Sequence, residues 1–228
     1  MKVGSTLIVN APSGASEMAL AVEIQLPEKA LTRNDASLAG LIERAAAGES
    51  AAFEQIMIHS QQRVLTLSWR MLGNEADARD ASQEVFLRVY KYLGRFRQDQ
   101  DFFAWVYGIT LNVCRDVLKQ RQRRSYQFIS FPSEVEQDLV DAPMEQDDAE
   151  QSAIRKQRHE LISKAIATLP YKERAAIVLR DVEGLSTDEV AQVLKSSPTT
   201  VRSQISSARQ KIREYCRRHL RLEQNYEL

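Results

Sequence analysis

The chain has 228 residues, of which 43% are hydrophobic and 27% charged, and its 31 basic residues balance its 31 acidic residues. This composition excludes collagen-like, low-complexity and wholly disordered chains. The two cysteines lie far apart without a CxxC pattern, which argues against a disulfide scaffold or a zinc site. No apolar run approaches the roughly 18 residues that a membrane span requires. The sequence therefore predicts a cytoplasmic protein with no membrane insertion.

The first 36 residues show little periodicity. Pro12, Gly14 and Pro27 interrupt any regular pattern. This favours a poorly ordered N-terminal extension over residues 1–36, to which the sequence assigns no role.

Residues 37–124 are predicted to form the first of two helical domains. Apolar residues return there at the three- and four-residue spacing of helices that face a core. Asn74 follows Gly73 and is placed to cap one of these helices. A further helix is expected from about Phe102 to Arg121. The segment is therefore interpreted as several packed helices.

An acidic linker separates this domain from the second one. Residues 125–150 carry acidic side chains without a single Lys or Arg, and Pro132 and Pro143 do not suit a helix interior. Helical period resumes over residues 151–228, and no window alternates long enough with the period of two that strands require. The sequence thus predicts an all-α fold, with two small helical domains joined by a flexible acidic linker.

The second domain contains the pattern of a helix-turn-helix. Ser186 and Glu189 form the two ends of a capping box that starts a short helix, and a longer helix follows the break at Pro198. Ala191 is small and Val201 is apolar, which suits the close approach of two such helices. The second helix would read base edges near its N-terminal end, while its Arg and Lys side chains would hold phosphates. A helical hairpin with a solvated basic end is the alternative.

Two further surfaces stand out in the first domain. Basic residues follow an aromatic group that includes Phe102 and Trp105, which is typical of single-stranded nucleic-acid binding, although aromatic residues at helical spacing also form cores. Asp77, Asp80 and Glu84 lie on one helix face opposite its apolar stripe. That face is either solvated or protein-binding.

The sequence offers no catalytic centre. His59, His159 and His219 are scattered, and no nucleophile elbow, Walker loop or metal-ligand spacing is present. We therefore expect no catalytic residue, no metal ligand and no cofactor.

Two segments resemble conserved regions of the extracytoplasmic-function (ECF) sigma factors, group 4 of the sigma-70 family. Residues 77–86, Phe96 and residues 103–116 resemble the second conserved region, and motifs spread over residues 169–209 resemble the fourth. The matches stand in family order with a linker between them. The resemblance implies a subunit that directs core RNA polymerase to specific promoters, recognises their −35 and −10 elements, helps melt the duplex and has no enzymatic activity.

The resemblance also assigns roles to three groups of residues. The −35 set, expected to contact the −35 element, is Thr199, Thr200, Arg202, Ser203, Ser206, Ser207 and Arg209. The −10 set, expected to contact the −10 element with a flipped base captured at Asn112, is Arg97, Asp99, Asn112, Arg115, Lys119 and Arg121. The polymerase set, expected to bind the clamp helices of the largest polymerase subunit, is Asp77, Asp80, Gln83, Glu84 and Arg88.

Further partners follow from the resemblance: the flap of the polymerase, promoter DNA and an anti-sigma factor, which is common in the family although no residue here proves it. Gly108, Gln204 and Ser207 stand where the family commonly has arginine. This predicts a promoter sequence that differs from the commonest one.

Two other classes of protein compete with this interpretation. A dimeric helix-turn-helix regulator would bind duplex DNA alone and would not need the aromatic and acidic surfaces of the first domain. A helical adaptor would bind only protein, and its basic helix would simply be solvated. Removal of the first domain discriminates, since promoter opening by a sigma factor would vanish whereas a plain regulator would keep its specificity.

Overall fold

The structure of the chain, a computed structural model, describes residues 5–9, 20–24, 36–97, 99–127 and 149–226. Its helices form two compact units, one before the acidic segment and one after it. The all-α fold predicted for the two domains is confirmed.

The helices of the first unit are α1 (Ala36–Ala46), α2 (Ser50–Leu72), α3 (Glu75–Tyr92) and α4 (Phe102–Gln127), with a 3₁₀ turn at Leu93–Arg95. Helix α2 packs against α1, α3 and α4, and α3 packs against α4. The apolar stripes predicted from the helical period meet in this core. Its largest fully buried side chains include Ile56, Leu67, Met71, Val85, Val89, Phe103 and Tyr107.

Local side chains fix where these helices begin and end. Asn74 caps α3 as predicted, because its Oδ1 accepts a hydrogen bond from the amide of Asp77 at 2.9 Å. Gly73 closes α2 with a φ of 67°, a conformation that glycine adopts without a steric penalty. At the start of α4, Asp101 Oδ1 accepts from the amide of Ala104 at 2.7 Å.

The helices of the second unit are α5 (Ala149–Ala167), α6 (Tyr171–Ile177), a π-helical turn at Val178–Val182 that continues α6, α7 (Thr187–Leu194) and α8 (Pro198–Tyr226). Helix α8 packs against α5, α6 and α7. Its core includes Ala176, Ile177, Val178, Leu179, Leu185, Val190, Val201, Ala208 and Ile212.

The predicted helix-turn-helix consists of α7, a short turn and α8. Both hydrogen bonds of the capping box form, from the amide of Glu189 to Ser186 Oγ at 3.2 Å and from the amide of Ser186 to Glu189 Oε2 at 2.6 Å. Ala191 and Val201 are buried, as the close approach of the two helices requires. Lys195 ends α7 in the left-handed conformation, with a φ of 51°.

The structure adds features that the sequence patterns did not indicate. Strands β1 (Ser5–Val9) and β2 (Leu20–Ile24) form an antiparallel hairpin in the N-terminal extension, with Ser5 opposite Ile24 and Val9 opposite Leu20. The hairpin belongs to the second unit. Both strands contain β-branched residues, which favour strands even without clear alternation: Thr6, Ile8 and Val9 in β1, and Val22 and Ile24 in β2.

The helices also extend into the segment expected to be a linker. Helix α4 continues to Gln127, because its Gln and Arg residues favour helix and no breaker precedes Pro132. Helix α5 already begins at Ala149. The remainder of the expected linker, residues 128–148, lies outside the described residues.

In the part of the chain that the structure describes, no helix is both long enough and apolar enough to cross a membrane.

Candidate functional site

Four members of the −35 set lie on one exposed side of α8, near its N-terminal end. Thr199, Arg202, Ser203 and Ser206 are all exposed, opposite the side that buries Val201 into the core. These four residues occupy the first two turns and a half of the helix, where recognition helices contact bases. Their side chains include hydroxyl groups and one guanidinium, which can hydrogen-bond to the edges of base pairs.

Thr200 belongs to the start of α8. Its amide donates to Ser197 Oγ at 3.1 Å, and the two hydroxyl oxygens lie 2.8 Å apart. Ser197 therefore caps α8, with Pro198 in the first helical position that proline favours. Thr200, which the sequence assigned to the −35 set, is therefore also part of the N-terminal cap of α8.

The other two members of the −35 set contact carboxylates of the same domain. Ser207 Oγ donates to Glu173 Oε1 at 3.2 Å, and Lys211 Nζ donates to both oxygens of Glu173 at 2.8 Å. Arg209 donates from Nε and Nη2 to the two oxygens of Asp181, at 3.0 and 2.7 Å. Helix α8 is thus joined to α6 and to the π-helical turn by Glu173 and Asp181, two carboxylates to which the sequence patterns assigned no role.

The −10 set lies along α4 and just before it. Arg115 donates to Asn112 Oδ1, and both side chains are exposed, as is that of Lys119. Arg97 forms two hydrogen bonds with Asp99, at 3.1 and 2.7 Å. The structure brings Asn112 and Arg115 together on one exposed surface of α4.

An aromatic cluster supports the N-terminal end of α4. Phe96 lies 5.4 Å from Phe102 and 5.1 Å from Trp105, measured between ring centroids. Phe102 is buried, whereas Phe96 and Trp105 are only half-buried. Arg63 of α2 lies over the ring of buried Phe103, 4.5 Å from its centroid. The cluster is therefore both core and partly accessible surface.

Gly108 leaves the surface of α4 open one turn before Asn112. A Cβ atom at this position would meet nothing within 4 Å. The absence of a side chain in a helix interior weakens the helix, because glycine gains more freedom on unfolding than alanine does.

Arg121 of the −10 set and Asp77 of the polymerase set form an ion pair with each other. Arg121 Nη1 also donates to the carbonyl oxygen of Leu72 at 3.3 Å, near the end of α2. Partial burial lowers the pKa of the Arg121 guanidinium. This arginine therefore connects α4 to the junction of α2 and α3, a role that the sequence did not indicate.

The polymerase set spans two strips of α3. Asp80 and Gln83 are exposed, whereas Glu84 and Arg88 are half-buried. Arg88 Nε donates to Glu84 Oε1 at 2.7 Å, and its Nη1 contacts Asp116 of α4 at 3.4 Å. Hydrogen bonding to Glu84 raises the pKa of Arg88.

Two apolar side chains extend the exposed strip of α3. Leu87 is 67% exposed and Tyr90 is 56% exposed. They follow Gln83 by one turn and two turns, and the Tyr90 ring packs edge-on against Phe53 of α2 with centroids 4.9 Å apart. Exposed apolar groups beside polar ones are typical of protein-binding surfaces. Leu87 and Tyr90 lie four and seven residues after Gln83, and this helical spacing is the sequence signal that could have placed them on the same exposed face.

Nothing in the described ranges forms a group of three or more His, Cys, Asp or Glu side chains that could hold a metal ion. Cys114 and Cys216 are both buried free thiols. Burial raises the pKa of Cys114 to about 12 and also raises the pKa of Cys216, so both stay protonated near neutral pH.

Family models match both units of the chain. The model described as Sigma-70 region 2 matches residues 57–124, and the model described as Sigma-70, region 4 matches residues 159–212. The RNA polymerase sigma-H factor of Pseudomonas aeruginosa is 32% identical over 180 residues, which cover 75% of this chain and 90% of that protein. The ECF RNA polymerase sigma-E factor of Escherichia coli is 30% identical with the same coverage of both chains.

Solved structures give the same picture of the fold. The structure of CnrH in complex with the cytosolic domain of CnrY matches with a TM-score of 0.54 and 26% identity, covering 77% of this chain and 94% of that chain. The sigma factor RpoE of Bartonella quintana, solved in complex with the anti-sigma factor NepR, matches with a TM-score of 0.59 and 18% identity, covering 72% of this chain and 96% of that chain.

Proposed function

Because this chain belongs to the ECF family of RNA polymerase sigma factors, we propose that its two helical units divide promoter recognition between them. The unit of α5–α8 binds the −35 element, and the unit of α1–α4 binds core polymerase and opens the −10 element. The observation that carries this proposal is the exposed N-terminal side of α8, which presents Arg202, Ser203 and Ser206 from a helix-turn-helix.

The −35 element is read by the exposed residues at the start of α8. Arg202 can form two parallel hydrogen bonds with a guanine edge, and the hydroxyl groups of Ser203 and Ser206 can accept from or donate to neighbouring bases. Thr199 lies at the first turn of α8, next to Pro198, where a phosphate can reach it. We propose the two domains of the sequence patterns, residues 37–124 and 151–228, extended to the ends of their helices at Ala36, Gln127 and Ala149.

The −10 element is opened at the N-terminal half of α4. The exposed amide of Asn112 can hydrogen-bond to the edge of a flipped base, and the half-buried rings of Phe96 and Trp105 offer stacking surfaces nearby in the chain. Arg115 and Lys119 supply positive charge for the backbone of the single strand. Arg121 contributes less to DNA, since its guanidinium is engaged with Asp77.

Core polymerase binds the exposed strip of α3. Asp80 and Gln83 provide polar contacts, while Leu87 and Tyr90 provide the apolar area that a protein interface buries. Glu84 and Arg88 lie at the edge of this strip, where they interact with each other and with α4.

The protein carries out no chemistry of its own and acts in the cytoplasm, where it meets core polymerase. An anti-sigma factor regulates it by covering these binding surfaces. In support, the sigma factor RpoE of Bartonella quintana, which is similar in fold, was solved in complex with the anti-sigma factor NepR.

Transcription of a promoter library by purified core polymerase, with and without the full chain, tests this function. Start sites are identified by sequencing. We expect specific starts only when the protein is present, preceded by two sequence elements at a constant separation. If no starts appear while the protein alone shifts duplex DNA, the proposed roles of these surfaces are wrong, and the protein binds DNA as an ordinary helix-turn-helix regulator.

A further inference from the structure

A buried carboxylate holds an exposed arginine in the middle of α8. Asp181 is only 9% exposed, whereas the Arg209 side chain is 47% exposed. Both Asp181 oxygens accept from the guanidinium, one from Nε at 3.0 Å and one from Nη2 at 2.7 Å. This parallel pairing is the strongest and most directional form of an arginine–carboxylate contact.

The π-helical turn brings Asp181 to this position. The amide of Glu183 donates to the carbonyl of Val178 at 3.0 Å, a bond that spans five residues instead of four. Such turns are rare, change the direction of the side chains that follow, and occur often at functional sites. Val178, Leu179 and Val182 of the turn are buried in the core, whereas Arg180 is half-buried and donates to the carbonyl oxygen of Leu185 at 3.0 Å. A carboxylate in such a place is unfavourable unless it is paired.

The pairing leaves part of the guanidinium available. Arginine has five N–H donors, of which Asp181 uses one on Nε and one on Nη2, so three remain. Arg209 lies seven residues after Arg202, on the same side of α8 and about 10 Å further along its axis. The major groove is about 12 Å wide. When Arg202 contacts a base in the groove, Arg209, about 10 Å away along the helix, can therefore reach a phosphate at the edge of the groove.

We propose that Asp181 is a positioning residue, which orients Arg209 so that the remaining N–H groups bind a phosphate and fix the register of α8 on the −35 duplex. This inference rests on the proposed binding of the −35 element by α8. The inference goes beyond that proposal in giving a function to Asp181, a residue that itself touches no DNA. The competing explanation is that the pair only attaches α8 to the π-helical turn.

Binding of the full chain with core polymerase to promoter fragments, over a salt series, separates these explanations. Arg209→Ala should reduce the slope of log affinity against log salt by about 0.9, as expected for one lost phosphate contact, and should leave the base preference unchanged. Asp181→Asn should weaken binding about 2- to 12-fold, the range expected when one long side chain must be ordered on binding.

The double variant provides the decisive comparison. If Asp181 acts through Arg209, then Asp181→Asn combined with Arg209→Ala binds no more weakly than Arg209→Ala alone. Arg209→Lys keeps the charge but cannot form the parallel pair, so it should retain the salt slope with the weakened affinity of Asp181→Asn. Glu160→Gln, a carboxylate-to-amide change on α5, serves as the matched control and should bind as the wild type does.

Several results would overturn the inference. Additive losses in the double variant, or an unchanged salt slope for Arg209→Ala, would leave Asp181 with a structural role only. Thermal unfolding of each variant identifies any loss that reflects folding, and Arg209→Lys supplies the test if Asp181→Asn does not fold. A wild-type complex that does not discriminate between −35 sequences would overturn both the proposed function and this inference, whereas intact discrimination with an unchanged Arg209→Ala slope would overturn this inference alone.

Discussion

Single side chains on α8 differ in what they can contribute to recognition. Arg202 is exposed at the front of the helix, whereas Ser207 and Arg209 contact the carboxylates of Glu173 and Asp181. A side chain that is exposed before binding can adapt to a base edge. A side chain that a carboxylate already holds in one orientation, such as that of Arg209, is better suited to a fixed contact with a DNA phosphate.

Arg202→Ala should therefore impair recognition at one base position. The expected loss is roughly 1–3 kcal/mol for the preferred base, with little change for the other bases at that position. Binding of the polymerase complex to a library of −35 sequences measures it, with Lys195→Ala in the preceding turn as a control for lost positive charge. An equal loss on every sequence would instead make Arg202 a phosphate contact.

Asn112→Ala should spare assembly but impair promoter opening. Loss of the amide removes hydrogen bonds to the flipped base, worth roughly 1–3 kcal/mol, so the equilibrium yield of open complexes should fall by about 5- to 150-fold. Permanganate footprinting of unpaired thymines reports opening, and gel filtration reports polymerase binding. Gln120→Ala, another exposed amide on α4, is the matched control. An unchanged yield of open complex would remove Asn112 from the site.

At the scale of elements, caps and glycines determine where the functional helices begin and how firmly they hold. The capping box of α7 is complete, with both of its hydrogen bonds formed between Ser186 and Glu189. Helix α4 contains Gly108 in its interior, with open space around the position of a Cβ atom. The two sites should respond to alanine in opposite directions.

Ser186→Ala should destabilise the second domain by about 0.5–2 kcal/mol, because the amide of Glu189 loses its partner at the helix start. Urea unfolding of the full chain, followed by circular dichroism, measures the change. Ser203→Ala is the control, since this serine is exposed within α8 and alanine favours helix there. Equal stabilities of the two variants would contradict the capping role.

Gly108→Ala should stabilise the first domain by roughly 0.5–1 kcal/mol, since the added methyl group meets no neighbour and restricts the unfolded chain. Gly40→Ala in α1 is a matched control with equally open surroundings, and it should give a similar gain in urea unfolding. A loss of stability at residue 108 alone would mean that α4 needs the freedom of glycine at this point.

At the scale of the whole molecule, the chain carries no net charge but distributes its charges unevenly. Basic side chains cluster on α4 and α8, whereas α3 presents Asp80 and Glu84 together with exposed Leu87. Surfaces of opposite sign on one chain suit a factor that binds DNA and a protein partner at the same time.

Glu84→Lys should weaken the binding of core polymerase on the order of tenfold. A positively charged polymerase surface that is complementary to Asp80 and Glu84 would be repelled by the lysine. The ion pair between Glu84 and Arg88 would be lost as well. Competition for polymerase against the labelled wild-type chain measures the affinity. Glu54→Lys, the same reversal on an exposed position of α2, is the control. An unaltered affinity for core polymerase would mean that this face of α3 is only solvated and does not bind polymerase.

The sequence alone determined the helical domains, their order and the caps that start α3 and α7. Helical period, capping residues and turn-forming glycines act over a few residues, so their consequences can be read without a tertiary structure. The family and its function followed from motifs of the same local kind. The β-hairpin and the π-helical turn were not predicted, because short apolar runs are compatible with more than one backbone conformation.

Only the tertiary structure decided which charged side chains pair. Arg209 meets Asp181 across 28 residues of sequence, and Lys211 meets Glu173 across 38. Arg121, assigned to DNA, contacts Asp77, assigned to polymerase. Such pairs depend on how two helices cross and on which rotamers their packing allows, and neither is encoded in local spacing. The fold therefore selects, from a set of plausible contact residues, those that remain exposed to bind a partner.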